Sequence, residues 1–190
     1  MKTLILSAII LLFGITSCNT GTKQNSTSSV TGNGTEQITA KAPSATASST
    51  EGIIDSYIKL KNALTQDDDQ DAAIAGKELI ASLDSFDKSS LNEAQAKEYT
   101  DIYEDAREHA AHIGANAGNI KHQREHFETL SKDVYDLVKA VGGTQKLYYV
   151  NCPMYNDNKG ANWLSEIKEI QNPYLGKQMP ECGTVKEELN

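Results

Sequence analysis

No nucleophile elbow of the G-x-S-x-G type, no P-loop, no G-x-G-x-x-G and no C-x-x-C occurs in the 190 residues. These gaps remove the common signatures of serine hydrolases, nucleotide hydrolases, dinucleotide enzymes and dithiol oxidoreductases. Basic residues are also scarce. Eighteen Lys and Arg stand against 26 Asp and Glu, a net charge of −8, which argues against nucleic acid and anionic lipid surfaces as partners. With three cysteines the chain has too few for a disulfide-dense scaffold. The apolar run from Leu4 to Ile15 falls short of the roughly 20 residues that span a bilayer.

That short run has a different meaning. Lys2, the apolar stretch and the small residues at its end form the n-region, h-region and cleavage end of a secretory signal over residues 1–17. Ile15-Thr16-Ser17-Cys18 resembles the lipobox of bacterial lipoproteins, in which the cysteine is acylated and becomes the mature N-terminus. The competing reading is an ordinary signal with a chance cysteine. Each buried CH₂ of an acyl anchor contributes about 0.8 kcal/mol, so Cys18 is expected to hold the protein to a membrane. Asn19 and the lack of an early acidic run fit sorting to the periplasmic face of the outer membrane. Residues 18–50 are dominated by Ser, Thr, Gly, Asn and Ala and are expected to be a disordered, lipidated tether. Its r.m.s. reach is about 30 Å.

The folded part, residues 51–190, has the size of one ordinary domain. Residues 51–143 carry four helical patterns. The first holds Ile53, Tyr57, Leu60 and Leu64; the second, from about Gln70 to Phe86, holds Leu79, Leu83 and Phe86. The third is expected to open on a Ser90–Glu93 capping box and continues through Tyr99, Ile102, Ala106 and Ile113. The fourth starts near Asn119, runs through Phe127, Leu130, Val134 and Leu137, and stops at Gly142-Gly143. Short links between amphipathic helices predict a mainly α fold, an antiparallel up-down four-helix bundle. Residues 144–190 read as a small irregular C-terminal lobe with one short β-like segment at Leu147–Val150 and loops, packed on the bundle.

All four histidines fall on the third and fourth helices. A hairpin about Ala117 sets His109 level with His126 and His112 level with His122, so His109 and His126 are candidate metal ligands. Solvated flank histidines are the plainer alternative. His122-Gln123-Arg124-Glu125-His126 also fits H-x-x-E-H, the motif of inverted-motif zinc peptidases. Its polar flank and the small size of the domain weigh against a hydrolase using His122 and His126. The expectation is a protein without enzymatic activity.

In the lobe, Cys152 and Met154 stand two apart in a β-like segment, where alternate side chains share a face. Met179 and Cys182 lie three apart in a turn. Two thiolates and two thioethers suit Cu(I), whereas Zn(II) prefers harder donors. A Cys152–Cys182 disulfide with packed methionines is the open alternative.

Several stretches together resemble a family of bacterial envelope domains of unknown function. They are Tyr57 to Leu64, Gln123 to Phe127 and Cys152-Pro153-Met154. Asn158 to Ser165, Ile170 to Gly176 and Met179 to Gly183 complete the set. The resemblance spans about Ile53 to Val185. That family occurs in lipoproteins and fused to periplasmic adaptor subunits of heavy-metal efflux pumps. It implies a helical domain linked to copper or related metals, with Cys152, Met154, Met179 and Cys182 as ligands and an efflux adaptor or another periplasmic metal carrier as partner. It also implies that Arg124-Glu125-His126 is a family helix pattern. A His/Met/Trp-rich stretch common in such proteins is missing here between Asn92 and Tyr99. Trp163 is expected to anchor the lobe, with a cation–π contact to a soft ion as the alternative.

Overall fold

The computed structural model describes residues 45–190, with side chains described from Thr50. Residues 1–44, read above as signal, Cys18 and the first part of a tether, lie outside the described residues. Four long helices come first: α1 (Ala45–Thr65), α2 (Asp69–Asp84), α3 (Glu93–Ala115) and α4 (Ile120–Val141). A three-stranded antiparallel sheet follows, in the order β2-β1-β3, from β1 (Leu147–Cys152), β2 (Ala161–Ser165) and β3 (Thr184–Leu189). Among the described residues no helix is long and apolar enough to cross a membrane.

Local chemistry sets the helix ends. Asp68 accepts from the N–H groups of Gln70 and Asp71 at 3.1 and 2.9 Å and starts α2. Asn119 accepts from the His122 N–H at 3.3 Å and starts α4. Such caps contribute about 1 kcal/mol each. Gly142, at φ 97°, ends α4 in a conformation that side chains disfavour.

Two boundaries differ from the sequence reading. The third helix opens on an Asn92–Gln95 capping box, while Ser90 closes a 3₁₀ turn over Lys88–Ser90. The Asn-x-x-Gln pattern lies two residues beyond Ser-x-x-Glu and wins because Asp87, accepting from the Ser89 N–H, already caps the turn. Helix α1 begins at Ala45, inside the stretch read as tether. Thr50 is buried there and its hydroxyl donates to the Gly142 carbonyl at 3.1 Å, which ties the start of α1 to the end of α4.

The apolar stripes of all four helices meet in one core. Tyr57 and Phe127 stack at 5.3 Å between α1 and α4. Gly76 and Gly114 let α2 and α3 approach closely: a Cβ on Gly76 would stand 3.0 Å from the Ala110 carbonyl oxygen.

The lobe is more regular than the single β-like segment expected. Val150 on the central strand faces Trp163 on one neighbour and Val185 on the other. The sheet packs on α4 and α1 through β2. Trp163 is fully buried, beside Tyr174 at 5.9 Å; it anchors the lobe. Tyr57 accepts from the Leu164 N–H at 3.0 Å and shares a hydrogen bond with Ser131 at 2.8 Å. One phenol therefore joins α1, α4 and β2, and burial raises its pKa.

A second lock is ionic. Lys61 on α1, with no exposed side-chain surface, meets Glu166 just after β2 at 2.8 Å. Asn62 donates to the other Glu166 oxygen at 3.0 Å. Burial depresses the Lys61 pKa, against the pull of Glu166. Burial opposes ionisation of Glu166 too, but hydrogen bonds from Lys61 and Asn62 outweigh it and hold that carboxyl below its usual range.

Candidate metal centre

The sulfur-bearing residues are brought together by the two ends of the lobe. Cys152 is the last residue of β1 and is fully buried. Its Sγ lies 2.7 Å from that of Cys182, and both cysteines are free. Met154, Met179 and Cys182, with Pro180 and Glu181, line one surface pocket of about 380 Å³. The route to this convergence differs from the expected one. Met154 sits past the strand in a turn, at φ −93° and ψ −16°, so pleat alternation with Cys152 does not aim it. The turn after Pro153 does.

The second half of the cluster is held by Asn172, which is fully buried. Its side-chain Oδ1 accepts from the N–H groups of Tyr174 and Leu175, its backbone N–H donates to Pro180 O, and its side-chain Nδ2 donates to Cys182 O at 2.6 Å. Arg124 braces the same loop from α4. It donates to Pro173 O at 2.7 Å, to Leu64 O at 2.9 Å and to Asp67. Gly176, at φ 51°, leaves no room for a side chain against Asp67 and Arg124. Arg124 is thus a loop clamp within the His122–His126 segment.

Met154 and Met179 are 49% and 36% exposed, two of the three large apolar side chains exposed among the described residues. Burial, then the adjacent Cys152, pushes the Cys182 thiol up to about 11, with the Met154 amide opposing. An arriving cation would therefore have to displace a proton. Two sulfhydryls and two thioethers are a donor set for a soft monovalent ion and a poor one for hard cations.

The histidines form a second cluster. His109 and His126 meet at 2.8 Å between Nδ1 atoms, His112 stacks on His126 at 4.2 Å, and His122 stands edge-on to His126 at 4.5 Å. Burial first, then His112, His122 and His109, lowers His126 to about 4. Glu125 of the H-x-x-E-H segment stands 3.5 Å from His122 Nδ1 and 3.8 Å from Lys121. Sequence reasoning missed Asp133. It groups with Asp105 and His109, is buried, and has burial and then Asp105 raising its pKa to about 7. Its only sequence signal is a spacing of seven from His126, which sets it on the same helix face two turns on.

The fold and site define a mainly helical domain with a small sheet that carries a cysteine–methionine cluster at its end. Residues 53–146 match the model of a family described as a protein of unknown function (DUF3347). The match begins within α1, covers α2 to α4 and ends just before β1, short of Cys152, Met154, Met179 and Cys182. No curated protein and no solved structure matches the chain.

Proposed function

We propose that this is a membrane-tethered metal-binding protein of the bacterial cell envelope. It holds Cu(I) through Cys152, Met154, Met179 and Cys182, and buffers the ion or passes it to a heavy-metal efflux adaptor. One observation carries the reading. Two methionines that a core would normally absorb stand exposed at a pocket that also holds Cys182, with Cys152 directly behind it. Exposed thioethers beside thiols bury less surface than core methionines and suit a soft ion. The role is binding and transfer, without catalysis.

The scaffold in this reading is an antiparallel up-down bundle. Cross-helix pairs support it: Lys59 with Glu78, Tyr99 with Leu83, His109 with His126 and Tyr57 with Phe127. A second contact gives the direction in two of these pairs: Ser56 meets Ser82 ahead of Lys59 and Glu78, and Thr50 meets Gly142 ahead of Tyr57 and Phe127.

The 2.7 Å sulfur separation also favours a second reading. Closing it to about 2.05 Å forms a disulfide and leaves a structural or adaptor-docking module without metal. Thiol titration of protein taken from the periplasm under anaerobic conditions separates the two. Two reactive thiols after chelation and denaturation are expected for the metal site. None before reduction would establish the disulfide module.

The anchor belongs to the same proposal, with Cys18 lipidated and the protein on the periplasmic face of the outer membrane. Cys18→Ala should leave unprocessed precursor or soluble protein in cell fractionation. Unchanged partition into the membrane fraction would contradict lipidation at that residue.

A further inference from the structure

The histidine cluster is remote in chemistry from the sulfur pocket. His112 on α3 and His122 and His126 on α4 each offer a ring nitrogen, and these lie within 4.8 Å of one another. The cluster has a supporting layer. His126 Nδ1 is engaged by His109 Nδ1 at 2.8 Å, and His109 Nε2 faces Asp105 at 3.5 Å. An N–H of His126 can therefore donate to His109, whose other N–H points to a carboxylate, leaving Nε2 of His126 for an ion. Metal-bound imidazoles are oriented by this kind of relay. Behind His109 stands Asp133, only 6% exposed, with one oxygen that has no hydrogen-bond partner. Its ligand oxygen lies within 4.8 Å of an Asp105 carboxylate oxygen and a His109 ring nitrogen. A buried carboxylate without full partners is costly in an apolar site, and this one backs the His109–Asp105 pair, not the three ring nitrogens themselves.

We propose that His112, His122 and His126 form a second metal site that takes a borderline divalent ion of the Zn(II) class, supported by His109, Asp105 and Asp133. Imidazole donors suit such ions, whereas the thioethers of the lobe do not. Zn–N bonds of about 2.0–2.1 Å put tetrahedral nitrogens about 3.4 Å apart, so the three rings need to draw in by little more than 1 Å. His112 is exposed and free to move that far. Three protein ligands leave a fourth position for water, which makes the ion exchangeable. An ion shared by α3 and α4 also pins the two helices together.

The test is Zn(II) titration of the full chain carrying Cys152→Ser and Cys182→Ser, which removes the sulfur site from the readout. One equivalent should bind and raise the melting temperature, and Co(II) should give a tetrahedral visible spectrum without thiolate charge transfer. His122→Gln and His126→Gln should each weaken Zn(II) by about a hundredfold or more, and Asp105→Asn by about ten- to a hundredfold. If His126→Gln fails to fold by circular dichroism, exposed His112→Gln supplies the same measurement. Zn(II) binding that survives the histidine substitutions, or that is already lost with the two cysteines, would overturn the proposal.

Discussion

Glu166→Ala should destabilise the protein by about 2–3 kcal/mol, below the roughly 3–5 kcal/mol of a fully buried pair because the Glu166 side chain is 28% exposed. Lys61 has no exposed side-chain surface and has Glu166 at 2.8 Å, so the variant strands an ammonium between α1 and the sheet. Urea unfolding at pH 7 measures the loss. The pH dependence gives a sharper reading. Glu166 is held below its usual pKa, so its contribution is full above the unfolded carboxyl value of about 4.3 and is lost as pH falls through the lower folded value. That acid-side loss should be smaller in the variant. Lys61, already depressed by burial, should be depressed further without its partner. The unfolded chain then binds more protons than the folded one at alkaline pH, and stability should climb as pH rises toward 10. A variant equal to wild type in urea, or one falling on the alkaline side, would show that Lys61 reaches water by another route.

The second large effect is metal linkage. Cu(I) at a hundredfold excess over its Kd should stabilise the reduced protein by about 2.7 kcal/mol, read as a rise in melting temperature under anaerobic conditions. Cys152→Ser and Cys182→Ser should each abolish the rise, because each removes a thiolate from a pair whose sulfurs lie together. His122→Ala should leave it intact, since the histidines belong to the α3–α4 face. The disulfide module predicts the reverse pattern: reduction destabilises and Cu(I) has no effect.

The helical part of the fold was legible because each helix must bury one stripe. Ile53, Tyr57, Leu60 and Leu64 repeat at helical spacing, and all are buried. Strands β2 and β3 were not legible. Strand β3, Thr184–Leu189, alternates exposed and half-buried residues up to Leu189, so its only apolar signals are Val185 and Leu189. Strand β2 carries its apolar residues in five positions beside a turn and lacks the length of a pattern. The sulfur residues could be named from side-chain chemistry, but not the turn that aims Met154, because backbone direction after Pro153 depends on Asn156, Asp157 and Asn158 all adopting positive φ. The His109–His126 contact followed from folding a hairpin about Ala117, whereas His112 stacks on His126 at 4.2 Å and lies 6.0 Å from His122. Asp133 did not follow, because one acid on a helix carries no signal until α3 covers it.

X-ray absorption at the copper edge of the Cu(I)-loaded full chain tests the central claim most directly. A sulfur-only first shell, reduced in Cys152→Ser and Met154→Leu, is the predicted result. A shell of nitrogen or oxygen neighbours, or one unchanged by both substitutions, would contradict a metal site at the cysteine–methionine pocket.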